Sequence, residues 1–216
     1  MSLLVAMWFV AGAPSWAQEA ENPSQWFQNR GFELMIGPGY QVNADVSTDD
    51  GELEVESGAN FTVALSYAQA SKPGLRGEFS YSRQRAGVEF EPDFGGSSTA
   101  DFDADFHYFL LGALYGFPAS PRVEPFAGVY LGAMYASPVG GNYDSETLLA
   151  ISGVAGVKTY LSRHVGLRFQ SRLLAPVSIE SGSLFCSSAA GVCAVSVDAG
   201  TVFWQGDFTA GVVFAF

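Results

Sequence analysis

Period-two alternation of apolar and polar residues, sustained through segment after segment from Gly31 to the final Phe216, constrains this chain more than any other feature. Alternation of that kind makes a strand with two unlike faces, whereas a helix needs a period of about 3.6. The first segment, Gly31 to Asn43, sets Phe32, Leu34, Ile36, Tyr40 and Val42 on one face and Glu33, Met35, Gly37 and Gln41 on the other. The second carries Leu53, Val55, Phe61, Val63, Leu65 and Tyr67 in one phase, opposite Glu54, Glu56, Asn60, Thr62 and Ser66. A phase kept over about fifteen residues is too long for most soluble strands and suits a tilted membrane strand extended beyond the bilayer. The third places Leu75, Phe79 and Tyr81 against Arg76, Glu78, Ser80, Ser82 and Gln84. In the fourth, Phe102 to Phe117, Asp103, Asp105 and His107 share a face, but Phe109-Leu110-Leu111 blurs the phase. The fifth, Glu124 to Ser137, mixes Ala127, Gly128, Gly132 and Ala133 with Phe126, Tyr130, Met134 and Tyr135. The sixth aligns Leu149, Ile151, Ala155, Val157 and Leu161 against Ser152, Lys158 and Tyr160. The seventh sets Val165, Leu167, Phe169 and Leu173 against Arg168, Gln170 and Arg172. The last sets Val202, Trp204, Phe208, Val212, Phe214 and Phe216 against Gln205, Asp207 and Thr209.

Apolar residues make up 48% of the chain and charged residues only 15%, a low charge for a soluble surface. Yet no run reaches the roughly 20 apolar residues of a membrane-spanning helix. A membrane barrel reconciles the two, because lipid-facing residues alternate with lumen residues and dilute every hydropathy window. The eight segments are joined by connections that alternate long and short. The expected fold is therefore all-β: an eight-stranded antiparallel transmembrane barrel over residues 31–216. Its long loops, near Ala44–Gly51, Pro92–Ala100, Val139–Glu146 and Gly182–Gly200, face outward, and its short turns face the periplasm.

Residues 1–17 read as a signal peptide: an apolar run from Leu3 to Ala13, Pro14, then Ser15-Trp16-Ala17 with small residues where a signal peptidase cuts. No Lys or Arg precedes that run, and a buried N-terminal helix is the competing reading. Residues 18–30 form a polar periplasmic segment before the barrel. The net charge of −12 argues against nucleic-acid binding. Cys186 and Cys193, separated by six residues in a Ser/Ala/Gly-rich stretch of an exported chain, are expected to form a disulfide.

The C-terminus, Thr209-Ala210-Gly211-Val212-Val213-Phe214-Ala215-Phe216, resembles the ending of outer-membrane barrels, with a glycine followed by alternating aromatics. Gly153 to Arg168 resembles the penultimate hairpin of the OmpA-like, opacity-type "porin family" barrels, and Pro125 to Gly132 their glycine-rich fifth strand. The resemblance spans nearly the whole mature chain. It implies an outer-membrane location, with membrane lipid and lipopolysaccharide as surroundings. It also implies recognition by the barrel-assembly machinery through Gly211, Phe214 and Phe216. There is no room for the peptidoglycan-binding domain that OmpA carries, and that role is not implied.

Seven charged residues fall on the inward face: Glu33, Arg76, Glu78, Lys158, Arg168, Arg172 and Asp207. Small barrels are filled by side chains, and buried charges must pair. Two readings stand, an interlocked network that plugs the lumen and a narrow charge-lined ion path. Carboxylates crowd the outer loops, at Asp45, Asp49, Asp50, Glu52, Glu54 and Glu56, then Glu89, Glu91, Asp93, Asp101, Asp103 and Asp105. They read as a solvated rim or as divalent-cation ligands, although no EF-hand spacing is present. Lipid A deacylases of the outer membrane pair His-x-Ser with a nearby Glu; here Phe109 stands two residues after His107, and His164 lies in a short turn. No catalytic residue, metal ligand set or cofactor is implied, and no residue names an extracellular ligand. The functional reading is a structural or surface-interaction barrel. A narrow porin-like channel is the alternative, and a lipid A-modifying enzyme the third.

Overall fold

The computed structural model describes residues 31–216, apart from 45, 49–50, 70, 73, 93–99, 118, 121, 141–142, 179–181, 188–191 and 198. The expected leader (1–17) and periplasmic segment (18–30) lie outside the described residues.

Twelve strands follow one another: β1 (Phe32–Asn43), β2 (Val46–Thr48), β3 (Gly51–Val55), β4 (Gly58–Ala68), β5 (Leu75–Pro92), β6 (Ala100–Gly116), β7 (Val123–Val139), β8 (Glu146–Tyr160), β9 (Val165–Val177), β10 (Gly182–Ser187), β11 (Val192–Val197) and β12 (Gln205–Ala215). Eight of them, β1, β4 to β9 and β12, form a closed antiparallel barrel. The β5–β6 pairing joins the two ends of the sheet, and β1 pairs with β12, from Glu33↔Ala215 to Asn43↔Gln205. Closure satisfies the backbone of every wall strand against a neighbour, which the hydrocarbon of a membrane demands.

The side chains then sort by phase. Phe32, Leu65, Phe79, Leu111, Val129, Leu131, Ile151, Phe169, Leu173 and Phe208 all stand exposed on the outside, while charged and amide side chains are buried within. A soluble barrel would be arranged the other way round, and an apolar band outside a polar interior is the membrane arrangement. Among the described residues no helix is long and apolar enough to cross a membrane.

Two of the short connections, β6–β7 and β8–β9, are built alike. Ser162 Oγ accepts hydrogen bonds from the backbone N–H groups of His164 and Val165. Ser120 Oγ does the same for Arg122 and Val123. A serine hydroxyl that caps the turn in this way replaces the backbone bonds that the chain reversal forfeits. The β4–β5 turn instead uses Gly74, whose φ of 86° lies in the left-handed region open to glycine.

Three features depart from the sequence reading. The long phase of the second segment is broken: Val55 pairs with Val88 and Asn60 with Gln84, five steps on one side against four on the other. The extra residue is a β-bulge at Glu56–Ser57, with Glu56 N–H bonded to Gly87 O at 2.9 Å. It reverses the phase, so Val55 packs against the inner apolar cluster while Phe61 and Leu65 point outward. Second, β6 keeps strict alternation through Phe109-Leu110-Leu111: Tyr108, Leu110 and Leu114 are buried, and Phe109, Leu111 and Tyr115 are exposed. The blur arises because this strand's inner face is also apolar. Third, the first and fourth long connections contain hairpins, β2–β3 and β10–β11.

Candidate functional site: the barrel lumen

All seven charged residues singled out from sequence lie inside the barrel, each at 3% exposure or less. They stack in tiers. At the short-turn end Glu33 is the hub: Lys158 Nζ donates to its Oε2 at 2.7 Å, Tyr160 Oη to its Oε1 at 2.6 Å, and Arg76 Nη1 lies 3.1 Å away. An eighth charge, Glu124, completes this tier, with Oε1 3.7 Å from Lys158 Nζ and 3.9 Å from Arg76 Nε.

In the next tier Arg168 grips Glu78 with two parallel hydrogen bonds of 2.6 and 2.9 Å, and Tyr130 Oη donates to the same carboxylate at 2.5 Å. This bidentate geometry is the strongest that Arg and a carboxylate form. Phe126 lies between the tiers, its ring 4.5 Å from the Arg168 guanidinium and 5.5 Å from Lys158 Nζ. Residue 156 is glycine where the ring passes; a Cβ there would stand 2.6 Å from Phe126 Cζ and 2.3 Å from the backbone oxygen of Phe169.

Above, Arg172 and Asp207 are direct register partners on β9 and β12, joined by a 3.1 Å bond from Arg172 Nε. Arg172 also donates to Ser80 and Thr62, and Asp207 accepts from Thr209 and Asn60. Next come the uncharged Gln41, Tyr108 and Gln205, mutually hydrogen-bonded. Beyond them, toward the long loops, the interior turns apolar. Val88, Phe102, Ala104, Phe106, Met134, Ala136, Leu148, Ala150, Leu174 and Phe203 belong to one buried cluster, which continues down β6 and β7 through Leu110, Leu114, Phe126 and Tyr130.

The inner face therefore carries four cations and four carboxylates. Arg76 and Glu78, two apart on one strand, share a face but do not pair; each reaches across the lumen to another strand. Arg168 likewise engages Glu78 across the barrel, while Arg172 takes neighbouring Asp207. Glu124 is the residue the sequence reading missed. The signal was available, since the seven named residues hold four cations and only three carboxylates, and a buried surplus charge is costly.

Elsewhere, the hairpin register sets Cys186 directly opposite Cys193; their side chains lie outside the described residues. Gly211 sits in β12 against β9, and Phe214 and Phe216 stand on the outer face, Phe216 donating its N–H to Phe32 O at 2.9 Å. Acidic residues of the loop half are backbone register partners as Glu52↔Glu91, Glu54↔Glu89 and Glu89↔Asp101. Among the described residues no group of three or more His, Cys, Asp or Glu could hold a metal ion. His107 points outward, its Nδ1 2.9 Å from Tyr81 Oη.

A closed eight-stranded barrel with an apolar exterior and an ion-paired interior defines an outer-membrane β-barrel. The family model of the outer membrane protein beta-barrel domain matches residues 3–216, and the chain belongs to that family. It is similar in fold to Neisserial surface protein A (NspA), with a TM-score of 0.57 and 19% identity over 86% of this chain and 97% of that one. It is similar also to the outer membrane protein OprG of Pseudomonas aeruginosa, with a TM-score of 0.55 and 12% identity over 87% and 96%. At these identities the likeness is one of fold. No curated protein matches the chain. Its location is the bacterial outer membrane.

Proposed function

We propose that this barrel serves the outer membrane as a structural or surface-interaction element whose lumen is closed by its own side chains. The observation that carries this reading is the balanced set of four cations and four carboxylates, all buried, linked across the lumen and backed by the apolar cluster on the loop side. An ion path needs mobile, hydrated charges along an open gap. Charges locked to one another resist that role, and side chains fill barrels of this strand number.

With the short turns in the periplasm, the four long connections face the outside and are the working parts. The direct Cys186–Cys193 register supports a disulfide that shapes the fourth of them. The C-terminal residues Gly211, Phe214 and Phe216 are read as the segment engaged by the barrel-assembly machinery. His107, bonded to Tyr81 and facing outward, has a structural place at the membrane boundary, and a non-enzymatic reading follows. Single-channel recording on the refolded barrel separates the closed barrel from a narrow channel. Mass analysis of lipid A from cells with and without the gene tests the enzymatic alternative, for which an unchanged lipid A profile is expected.

A further inference from the structure

The ten Lys and Arg residues are distributed unevenly. Arg76, Lys158, Arg168 and Arg172 lie in the lumen, and Lys72, Arg122 and Arg163 are exposed at the short-turn end. Arg30 precedes the first strand. Arg83 and Arg85 are left as the two basic residues of the long-loop half, in a chain of net charge −12. They are two apart on β5, so both side chains project from the outer wall, where they are 47% and 54% exposed.

Their height on that wall is informative. Going up the outside of β5 and β6, the chain presents Phe79, Phe109 and Leu111, all exposed and apolar. Next comes a polar-aromatic row: Tyr81 bonded to His107, with Tyr135 6.2 Å beyond it, centroid to centroid. Rows of this kind mark the membrane interface. Arg83, the register partner of His107, stands in that row, and Arg85 stands one step above it. Arg83 is eight residues along β5 from Leu75, about 20 Å of height at about 3.3 Å per residue and a tilt of about 40°, close to the top of an apolar band about 25 Å tall.

Asp105, the register partner of Arg85, holds both guanidinium groups in place. It accepts one hydrogen bond from Arg83 at 2.8 Å and two from Arg85 at 2.9 Å each. Each guanidinium has five N–H donors in a planar fork, so among the described residues most of these donors have no acceptor. One carboxylate set between two cations leaves the pair with an excess positive charge toward the membrane side. The further carboxylates, Asp103, Glu89 and Glu56, whose carboxylate lies over Gly87, stand loopward of it on the same face.

We propose that Arg83 and Arg85, oriented by Asp105, form an exterior binding site for a phosphate of the outer-leaflet lipid, lipid A, whose acyl chains lie against the apolar wall below Tyr81. The site rests on the orientation given above, with the long loops outside. It is independent of whether the lumen conducts. Paired Arg forks suit phosphate oxygens bidentately, and the aromatic row that Arg83 shares with His107 fixes the depth at which a headgroup meets them.

The test is native mass spectrometry of the refolded full barrel in detergent, titrated with bisphosphoryl lipid A, its monophosphoryl form and phosphatidylethanolamine. For the wild type we expect saturable binding of bisphosphoryl lipid A, several-fold weaker binding of the monophosphoryl form, and no competition by inorganic phosphate at equal concentration. Replacing both residues (Arg83→Gln, Arg85→Gln) is expected to weaken binding at least tenfold, whereas Arg122→Gln at the opposite end leaves it unchanged. Both side chains are solvent-exposed, and an unchanged melting profile verifies that the double variant is folded. Equal binding by wild type and double variant, displacement by inorganic phosphate alone, or no preference over phosphatidylethanolamine would overturn the proposal. Because the measurement is made in detergent, it does not depend on which leaflet the site faces, so its failure would leave the closed-barrel reading untouched.

Discussion

Glu124 and Lys158 face each other as direct register partners on β7 and β8, with 3.7 Å between Glu124 Oε1 and Lys158 Nζ. Lys158 is thereby shared by two carboxylates, bonded closely to Glu33 and held more loosely by Glu124. The short-turn tier is thus two cations against two carboxylates, with Glu33 at its centre.

Removing either carboxylate leaves a cation in surplus inside the barrel. Breaking a buried pair costs about 3–5 kcal/mol. Glu33→Gln should approach that range, because Glu33 also accepts from Tyr160. Glu124→Gln should cost less, its ion-pair distances being 3.7 and 3.9 Å. Thermal or urea unfolding of the two variants in detergent tests the ranking. Equal stability of Glu124→Gln and wild type would show that the outlying carboxylate adds nothing.

Gly156 provides the room for Phe126. A valine there would force the ring out of its place between Lys158 and Arg168, and overpacking of a filled interior costs about 1–3 kcal/mol. Gly156→Val is expected to lower the unfolding midpoint, and trimming the ring as well, in Gly156→Val with Phe126→Leu, should restore the ring's share of the loss, the contact with Phe169 O remaining. The absence of any rescue would place the whole strain at that backbone contact.

Cys186 and Cys193 are expected to be oxidised in exported protein. By the loop-closure relation so short a loop gains about 2–3 kcal/mol at most, so the effect falls mainly on the shape of the hairpin. Maleimide labelling of denatured protein, with and without reductant, checks it. Labelling without reductant would show free thiols.

Phe216 is exposed on the outer wall and its N–H closes the seam with Phe32. Phe216→Ala should lower the amount of barrel in outer-membrane fractions without changing synthesis. An unchanged level would mean that the terminal aromatic has no part in assembly.

The lumen was legible because a membrane barrel inverts the usual rule: a strand whose inner face is charged and outer face apolar shows its phase plainly, as around Arg76–Glu78 and Arg168–Arg172. Legibility failed where that contrast vanished. In β6 both faces are apolar, so Phe109-Leu110-Leu111 hides an alternation that the backbone keeps. At Glu56–Ser57, just before Gly58, a single inserted residue reverses the phase while apolar residues keep to odd positions on both sides of it. Glu124 lies near the start of a strand of small and aromatic residues, next to Pro125, where the surplus of one cation among the seven named charges is the one sign of it. The pairing across the lumen was beyond reach for a further reason. Period two tells which way a side chain points but not how far it extends, and Arg168 passes over its neighbour on β12 to reach Glu78 on β5.

On the proposed reading, paired charges shut the interior. Planar-bilayer recording on refolded wild-type protein, alongside Asp207→Ala, puts this to the test. Asp207 is the partner of Arg172 and accepts from Thr209 and Asn60 as well, so its loss should lower the unfolding temperature. The expected result is no steady conductance in the wild type. Stable open-channel currents in the wild type, with ion selectivity altered in Asp207→Ala, would contradict the closed barrel and make the lumen a channel.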